Sequence, residues 1–518
     1  MHSNDMLITL LDRVTSNITR RQPSVAVIGA GMSGLCMAIT LRQAGIRDIT
    51  IYEKANEVGG TWRDNVYPGL TCDIPSHFYQ YSFAPKSDWT QLFSTGAEIQ
   101  DYLRRITDRF ELRPHIRFGT EIIEARFTGD RWQVHTAGGA IAHFDFLIAA
   151  TGVLRVPRLP NITGLTTFDG PVLHSADWDP SADLAGKRVA VIGTGSSGVQ
   201  IMCGLADTAD HLTLFQRSAN WVLTLPNPRF PRLVTAAHRR WPALGRLGYR
   251  AGAGVLGFFA RAVIEPGWRR TLLDTAVRAD LRRIRDTRLR RTLTPDHRPM
   301  CRRLIFSDRF HRIIQRPNVS VIDTGIDYVT LRGVVTTDGT LHEVDAIVLA
   351  TGFDAHAYLR PMRLIGAKGR TLETAWRNGP KAHLTVALPG FPNFFMLLGP
   401  HSPIGNYSLM AVAETQARHI LGWIERWRDE RFDTVAPTYR ATAAYNADLR
   451  AALPRTVWAT GCSSWYLGPD GLPELWPFTP AEHRRRLDAV PDPRDYDLRR
   501  TLRTARSGAL PAITNSHP

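Results

Sequence analysis

Two glycine fingerprints of the same type constrain the fold of this chain more than any other feature. They are Gly29, Gly31 and Gly34, and Gly193, Gly195 and Gly198. Each triplet has the spacing G-x-G-x-x-G, in which glycines allow a tight turn and a close approach of the backbone to a pyrophosphate. The spacing indicates a dinucleotide site only where it joins a strand to a helix, so the flanking residues decide whether each triplet is such a site.

The flanks of the first fingerprint predict a complete βαβ unit. A short apolar strand is expected over Val25–Ile28, a helix over 35–41 and a second strand over Ile49–Tyr52. Glu53 stands at the end of that second strand. A carboxylate at this position accepts hydrogen bonds from ribose hydroxyls and repels a 2′-phosphate, so the first site favours FAD or NAD.

The second fingerprint repeats the pattern but ends in side chains of opposite charge. Strands are predicted over 189–192 and 212–215, joined by the glycine loop, which includes Ser196 as a candidate cofactor-binding residue, and an apolar helix to about Ala206. Arg217 and Ser218 follow the second strand. A guanidinium and a hydroxyl match a 2′-phosphate in charge and geometry, so this site favours NADPH. Together the two units predict a protein that binds two different dinucleotides.

The remaining sequence indicates an α/β fold with two doubly wound, Rossmann-like dinucleotide-binding domains and a helical insertion. A chain of 518 residues exceeds a single ordinary core. Apolar strands closed by Thr-Gly recur before residues 152 and 352, one for each sheet. We predict an FAD-binding domain from 20–160 with 380–490, an NADPH-binding domain from 161–222 with 318–379, a helical insertion over 223–317 and a flexible tail over 491–518.

The formal net charge of +16 comes largely from arginine. No recognised nucleic-acid motif accompanies it, so we expect solvated basic faces and no nucleic-acid partner.

The most membrane-like stretch, 251–264, is interrupted by Arg261 and is shorter than the roughly 20 residues that span a bilayer. No secretory signal pattern is evident, so we expect a cytoplasmic protein, without peripheral membrane contact.

The cysteines carry no obvious chemistry. They are Cys36, Cys72, Cys203, Cys301 and Cys462. None forms a C-x-x-C pair or a metal-finger spacing, so neither a redox disulfide nor a metal site is expected. An odd number of cysteines is typical of a reducing cytosol.

The connection between the two predicted domains carries a motif of a known family. It consists of Phe168, Gly170, His174, Trp178 and Asp179. These residues fit F-x-G-x-x-x-H-x-x-x-W-[P/D], the fingerprint of Baeyer-Villiger monooxygenases. Their N-oxygenating flavin relatives usually carry Tyr or Phe and then Lys at the last two positions. The chain therefore resembles the Baeyer-Villiger monooxygenases of type I, among the class B flavoprotein monooxygenases.

Three further segments are similar to segments of the same family. The chain from Gly60 to Asp73 fits G-x-W-x-x-x-x-[Y/F]-P-G-x-x-x-D. Arg302 and Arg303 stand where many members have Lys-Arg, so the charge is kept. Trp465 belongs to a C-terminal segment that is similar to the S-W-Y of several members. The resemblance extends from about residue 25 to residue 477.

The resemblance implies an oxygen insertion. NADPH reduces FAD, the reduced flavin holds O2 as a C4a-peroxide, and one oxygen atom enters beside a ketone carbonyl to give an ester or lactone. Arg303 would stabilise the peroxyanion, because a guanidinium is permanently charged and cannot protonate it. Asp73 would position Arg303 beside the flavin; its ordinary alternative is a turn residue.

Other side chains take cofactor roles by the same resemblance. Trp62 and Tyr79 would contact the flavin, Arg302 the 2′-phosphate of NADPH, and Trp465 the nicotinamide and substrate pocket. Ordinary alternatives stay open, since buried aromatic residues usually belong to the core and Arg302 could be a solvated charge. For His174 and its neighbours in the fingerprint we expect a hinge or packing role.

Two other functions compete with this interpretation. A flavin-dependent N- or S-oxygenase of heteroatom-containing small molecules uses the same scaffold, but with an electrophilic hydroperoxide in place of the peroxyanion. A protein that keeps flavin structurally and acts at a membrane surface would account for the basic charge and the apolar stretch at 251–264.

Overall fold

Both glycine fingerprints join a strand to a helix, as their flanks predict. The computed structural model describes residues 21–500 apart from 406, 463, 465, 466, 469 and 470. In the first unit, β1 (Val25–Ile28) leads into α1 (Met32–Gln43) and then into β2 (Ile49–Tyr52). All of β1 is apolar and buried, because a strand inside a parallel sheet is covered on both faces.

The first sheet places β1 at its centre. Its described strands run parallel in the order β19 (Phe394–Met396), β7 (Phe146–Ala149), β1, β2 and β3 (Ile116–Arg117). Val27 is paired with Ile51 on one side and Ile148 on the other. The carboxyl ends of β1 and β2 therefore meet at one edge, where the glycine turn and Glu53 lie.

The second sheet repeats this arrangement. Its described strands run parallel in the order β13 (Val319–Ile322), β10 (His211–Phe215), β9 (Arg188–Ile192), β17 (Ala346–Leu349) and β8 (Val172–His174). The second glycine turn follows β9 and leads into α4 (Ser196–Leu205). The predicted α/β fold with two dinucleotide-binding units is confirmed.

Smaller sheets accompany the two parallel ones. One has the order β18 (Arg363–Ile365), β4 (Ile122–Thr128), β5 (Arg131–Thr136) and β6 (Ile141–Phe144). Another is the antiparallel β14 (Ile326–Thr330), β15 (Gly333–Thr336) and β16 (Leu341–Glu343). Two-stranded pairs join β11 (Val222–Leu223) to β12 (Ile305–Phe306), and β20 (Thr434–Pro437) to β21 (Tyr496–Arg499).

The remaining helices cover the sheets or form the insertion. Those of the first region are α2 (Thr61–Asp64) and α3 (Gly96–Arg109), and those of the insertion are α5 (Arg232–Arg240), α6 (Pro242–Ile264), α7 (Trp268–Asp280) and α8 (Thr287–Thr292). Later helices are α9 (Phe310–Ile313), α10 (Leu372–Ala375), α11 (Leu409–Arg428), α12 (Tyr439–Ala452) and α13 (Pro480–Asp488). The long α11 packs against α1 in the largest apolar cluster. Within the described chain, no helix combines the length and apolar character needed to cross a bilayer.

Strand pairing moves one predicted domain boundary. The sequence predicts that 318–379 belongs to the NADPH-binding domain. However, β18 pairs with β4, Leu364 lying opposite Ala125, so this strand belongs with the first sheet's half of the molecule. A three-residue strand carries too little periodicity to reveal its partner, and only the pairing shows where it belongs.

The predicted flexible tail over 491–518 begins with regular structure. Tyr496 opens β21, is buried and lies 4.3 Å from Trp423 between ring centroids. Its strand pairs antiparallel with β20 of the first half of the molecule. A mixed polar sequence concealed this strand, because a single buried aromatic residue supplies most of its anchoring. Residues 501–518 lie outside the described residues.

One disulfide bond contradicts the cysteine expectation. Cys301 is bonded to Cys462, 161 residues away, while the other cysteines are free thiols. The bond joins the end of the insertion to the C-terminal segment, directly beside Arg302 in sequence. Short-range spacing cannot reveal a pair that only the tertiary fold brings together.

Four buried histidines have pKa values far below the ordinary value. They are His77, His383 and His419, with pKa values lowered to about 4, and His483, lowered to about 3, in each case first by burial. His419 illustrates the cause. Its Nδ1 lies 2.7 Å from the carbonyl oxygen of Leu487, and its Nε2 accepts a hydrogen bond from Trp423 at 3.2 Å. The neutral ring is satisfied on both nitrogens, so protonation has to break a bond.

These histidines predict a loss of stability in acid. Because their folded pKa values lie below the unfolded value of about 6.5, their contribution is complete above that pH and is lost as pH falls toward 4. Each would remove on the order of 2 kcal/mol between pH 7 and pH 5. We expect His419→Asn to melt lower at pH 7 but to lose less on acidification. The exposed control His143→Asn should behave like the unmodified protein. An equal pH effect in both variants would contradict this assignment.

Candidate dinucleotide and oxygenation site

Both α1 and α4 begin directly after a middle glycine. Gly31 and Gly195 are their N-caps, and no described side chain caps the first N–H groups. Unpaired N–H groups and the helix dipole make such an end a favourable place for phosphate. A Cβ on Gly195 would meet no atom within 4 Å, and one on Gly31 would come no closer than 3.7 Å. The space beside both glycines is open to a pyrophosphate.

The last glycine of each fingerprint serves packing instead. A Cβ on Gly34 would lie 1.9 Å from the carbonyl oxygen of Gly29, and one on Gly198 would lie 2.0 Å from that of Gly193. These distances leave no room for a side chain. The helix can therefore approach the strand end closely, as the fingerprint requires.

Two alanine substitutions separate these roles in the second site. Gly195→Ala is expected to fold normally and to bind NADPH about tenfold more weakly, because the methyl group would stand where the pyrophosphate approaches. Gly198→Ala is expected to lower stability by about 1–3 kcal/mol, because its methyl group meets backbone. Thermal melts and NADPH titrations measure both effects. Unchanged NADPH affinity in Gly195→Ala would argue against a pyrophosphate at this helix.

Glu53 is buried beside the first glycine turn. Its Oε2 accepts a hydrogen bond from the N–H of Ala30 at 2.8 Å, and its Oε1 accepts from the N–H of Ala55 at 3.0 Å. Arg63 donates to the same Oε1 at 3.0 Å. These bonds orient the carboxylate, and it keeps acceptor capacity for ribose hydroxyls because a carboxylate offers about four acceptor positions. The predicted ribose carboxylate and the predicted pyrophosphate site are thus adjacent.

Arg217, Ser218 and Arg302 meet at the carboxyl edge of the second sheet. Arg302 donates from Nη1 to Ser218 Oγ at 2.8 Å and to Asn220 Oδ1 at 3.4 Å. Burial lowers the pKa of Arg302, Asp296 raises it, and the positive charge of Arg217 lowers it further. Two guanidinium groups this close repel each other, so the place favours an anion such as the 2′-phosphate of NADPH.

The segment 60–73 connects the two dinucleotide units. Its Tyr67 is buried, accepts a hydrogen bond from Ser197 Oγ at 3.0 Å and donates to Gln200 Oε1 at 2.9 Å, both on α4. Burial raises the pKa of Tyr67 to about 12, so the phenol stays neutral. A Cβ on Gly69 would lie 2.2 Å from the carbonyl oxygen of Gln200. This close packing fixes the segment against the second helix.

Asp73 ends that segment and forms a bidentate ion pair with Arg303. Nε donates to Oδ2 and Nη2 donates to Oδ1, both at 2.6 Å. The side chains are 19% and 29% exposed, and the residues lie 230 positions apart. A two-bond, charge-assisted contact sets the orientation of the guanidinium as well as its position. The two residues predicted to be catalytic are therefore brought together, and their catalytic roles stay a prediction.

Tyr79 lies near this ion pair and contacts the helix that follows the first glycine turn. Its hydroxyl accepts from Trp62 Nε1 at 3.1 Å and donates to the sulfur of Met32, the first residue of α1, at 3.4 Å. Burial, followed by the nearby Cys72 and Asp73, raises the pKa of Tyr79. The predicted flavin contacts Trp62 and Tyr79 thus lie between the first glycine turn, which starts at Gly29, and the carboxylate. Gly60, the N-cap of α2, has φ 54° beside the same turn.

The interdomain fingerprint lies elsewhere. His174 Nδ1 accepts from the N–H of Ala176 at 3.0 Å, and its Nε2 lies 3.4 Å from Thr351 Oγ1. Trp178 is buried in the core of the second unit. These contacts support the expected hinge or packing role. Trp465, the remaining predicted site residue, lies outside the described residues.

Sequence reasoning missed several residues that complete the site. Arg63 directly follows Trp62 and contacts Glu53, but a charged residue after an aromatic one is no signal by itself. Asn220 contacts Arg302, and its amide donates to the carbonyl oxygen of Thr194 at 2.9 Å. Its only sequence signal is its place just after the predicted strand end.

Comparison with known proteins agrees with this geometry. The family described as flavin-binding monooxygenase-like matches residues 22–234, which contain both glycine fingerprints. An uncharacterized monooxygenase of Mycobacterium tuberculosis, Rv0892, is 59% identical to this protein over 483 residues. The aligned residues cover 93% of this chain and 97% of the mycobacterial chain. A Baeyer-Villiger monooxygenase of Streptomyces coelicolor is 39% identical over 486 residues, 92% of each chain.

The similar proteins of known structure include some that were solved with their cofactors bound. A cyclohexanone monooxygenase from Rhodococcus sp. Phi1 bound to NADP+ superposes with a TM-score of 0.83 at 28% identity, over 93% of this chain and 100% of that chain. A complex of OTEMO with FAD and NADP superposes with a TM-score of 0.82 at 28% identity, over 92% of this chain and 100% of that chain. Because identity and fold both extend over nearly the whole chain, this protein belongs to the Baeyer-Villiger monooxygenases of the flavin-binding monooxygenase-like family and is an FAD- and NADPH-dependent enzyme.

Proposed function

We propose that the protein inserts one oxygen atom from O2 beside the carbonyl group of a small-molecule ketone, giving an ester or a lactone. The observation that carries this proposal is the Arg303–Asp73 ion pair, held between the two dinucleotide units. FAD, once bound, supplies the oxygen chemistry, and NADPH supplies the hydride that reduces it.

Arg303 provides a positive charge that does not depend on pH in the working range. A guanidinium keeps its proton, so it can stabilise negative charge that develops on oxygen without donating that proton. Asp73 holds the guanidinium by two bonds, which leaves its orientation fixed before the reaction begins. Such preorganisation is the main source of electrostatic catalysis.

The surroundings support a nucleophilic oxygen rather than an electrophilic one. Cys72, Tyr67 and Tyr79 are buried next to Asp73, and burial raises the pKa of each of them. These groups therefore stay protonated and uncharged near neutral pH. A low-dielectric site that holds one fixed cation strengthens the attraction between that cation and a developing anion.

The test is the oxygenated product. Purified protein, NADPH and ¹⁸O₂ are incubated with a panel of ketones and a panel of thioethers. We expect the heavy isotope in an ester or lactone, and activity on ketones that is kept as pH rises. Sulfoxides from the thioethers, with no ester or lactone from any ketone, would overturn the proposal in favour of the heteroatom oxygenase.

A further inference from the structure

The helical insertion carries the largest concentration of exposed large apolar side chains in the described part of the chain. Of the eighteen large apolar side chains exposed among the described residues, seven lie within residues 233–272. They are Leu233, Trp241, Leu244, Leu247, Val255, Trp268 and Leu272. Isolated exposed apolar residues are ordinary, but a concentration of them on one part of a surface marks an interaction site.

The apolar residues of α6 form one continuous stripe. Leu244, Leu247, Ala251, Val255 and Phe258 follow each other at intervals of three or four residues, which places them on one face of a helix. The face that packs on the protein carries other residues, including Gly245, Gly252 and Leu256. Phe258 is half-buried and also packs against the core of the second unit, whereas Leu244, Leu247, Ala251 and Val255 are exposed and lie away from the face that α6 uses in the core.

Aromatic residues continue the stripe at both ends. Trp241 directly precedes α6 and is 57% exposed, and Trp268 opens α7 and is 63% exposed. Trp268 contacts Phe258 edge to face, with centroids 5.7 Å apart, and the guanidinium of Arg269 lies 4.8 Å from the Trp268 ring. Tryptophan with adjacent arginine is typical of surfaces that lie at the boundary between lipid headgroups and acyl chains.

The same region carries a strong positive charge. Residues 232–272 contain eight arginines and a single acidic residue, Glu265. Arg246, Arg250 and Arg261 share one side of α6, next to the apolar stripe. An apolar stripe bordered by arginine matches an interfacial helix that binds anionic lipid.

A cavity of about 410 Å³ opens beside this stripe. Phe258, Arg261 and Arg269 line it from the insertion, and Tyr407 and Arg484 line it from the other half of the molecule. None of these three arginines has a carboxylate partner among the described residues, and no described carboxylate lines the cavity. The cavity is lined by both guanidinium groups and apolar side chains. The guanidinium groups can bind the phosphate of a lipid headgroup by charge-assisted hydrogen bonds.

We propose that the helical insertion is a docking surface for a bilayer that contains anionic phospholipid, with α6 lying in the interface and the arginine-lined cavity receiving a headgroup phosphate. The charge argues against a second copy of the chain as the occupant. A symmetric dimer places the same patch on both sides, so eight arginines would face eight arginines. The sequence did not lead us to expect membrane contact, although the basic charge and the apolar stretch at 251–264 left a membrane-surface role open as an alternative.

The test is flotation of the full-length, FAD-loaded protein with vesicles, in the absence of ketone and NADPH. We expect flotation with vesicles of phosphatidylcholine and phosphatidylglycerol at 50 mM salt, at least tenfold weaker binding to phosphatidylcholine alone, and weakening at high salt. Leu247→Ser with Trp268→Ser should abolish flotation. Arg246→Gln with Arg250→Gln should weaken binding on the order of tenfold.

Matched controls come from exposed residues elsewhere. Leu159→Ser with Leu331→Ser, and Arg47→Gln with Arg377→Gln, should float like the unmodified protein, and FAD content and thermal melts check that each variant folds. No flotation with anionic vesicles, or flotation that the insertion variants do not change, would overturn the proposal. Concentration-dependent self-association in sedimentation, abolished by the Leu247 and Trp268 changes, would also overturn it by assigning the surface to a second copy.

Discussion

Arg303→Ala is expected to lower the rate of product formation by about 100- to 1000-fold, the loss typical of removing one preorganised charged donor. FAD binding should persist, because Arg303 contacts Asp73 rather than either glycine turn. Single-turnover product formation, measured with FAD content and a thermal melt, checks the prediction. Arg309→Ala is a matched control, since Arg309 is a similarly exposed arginine paired with an aspartate, Asp207, at 2.5 Å.

The ion pair also predicts how two substitutions combine. Asp73→Asn should lower the rate as well, because a neutral amide cannot hold the guanidinium by two charge-assisted bonds. The double variant should be no slower than Arg303→Ala alone, since Asp73 acts through Arg303. Additive losses, or a loss below tenfold in folded, flavin-loaded Arg303→Ala, would contradict the catalytic assignment.

Arg217→Ala is expected to raise the KM for NADPH by about 10- to 100-fold and to leave the KM for NADH nearly unchanged, because only NADPH has the 2′-phosphate that a guanidinium would bind. Steady-state kinetics with both coenzymes measure the ratio. Arg302→Ala should shift the ratio in the same direction, because its guanidinium is bonded to Ser218 in the same place.

A nearby arginine supplies the control for this second prediction. Arg332 is 75% exposed and pairs with Glu343 in the same half of the molecule. Arg332→Ala should change neither KM. If Arg217→Ala raised both KM values equally, the 2′-phosphate assignment would be wrong, although a general role in dinucleotide binding would stand.

The two dinucleotide units were predictable because their signals are local. Strand, glycine turn and helix are consecutive in sequence, and β1 and β2 begin and end where the apolar runs do. Glu53 and Arg217 could be assigned because each directly follows a predicted strand, and parallel strands present their carboxyl ends at the same edge of a sheet.

The ion pair that we propose to be catalytic was predicted by a different route. The pairing of Asp73 with Arg303 followed from the family resemblance, since no periodicity relates residues 230 positions apart. Arg63 and Asn220 had no such guide and were missed. The disulfide between Cys301 and Cys462 was not predicted for the same reason, because only short spacings between cysteines were informative.

Sequence alone determined the number of dinucleotide units, the sign of charge at each predicted ribose position and the existence of a helical insertion. Each of these is encoded by residues that are neighbours in the chain: strand, glycine turn and helix follow one another, the charged residue follows a strand, and helical periodicity marks the insertion. Tertiary structure alone decided that Gly60 lies beside the first glycine turn while Tyr67 packs on the second glycine helix, that Cys301 is bonded to Cys462, and that α6 presents a second apolar face outward. Each of these depends on contacts between segments that are far apart in the chain. Such contacts leave no pattern among neighbouring residues, so the sequence alone could not predict them.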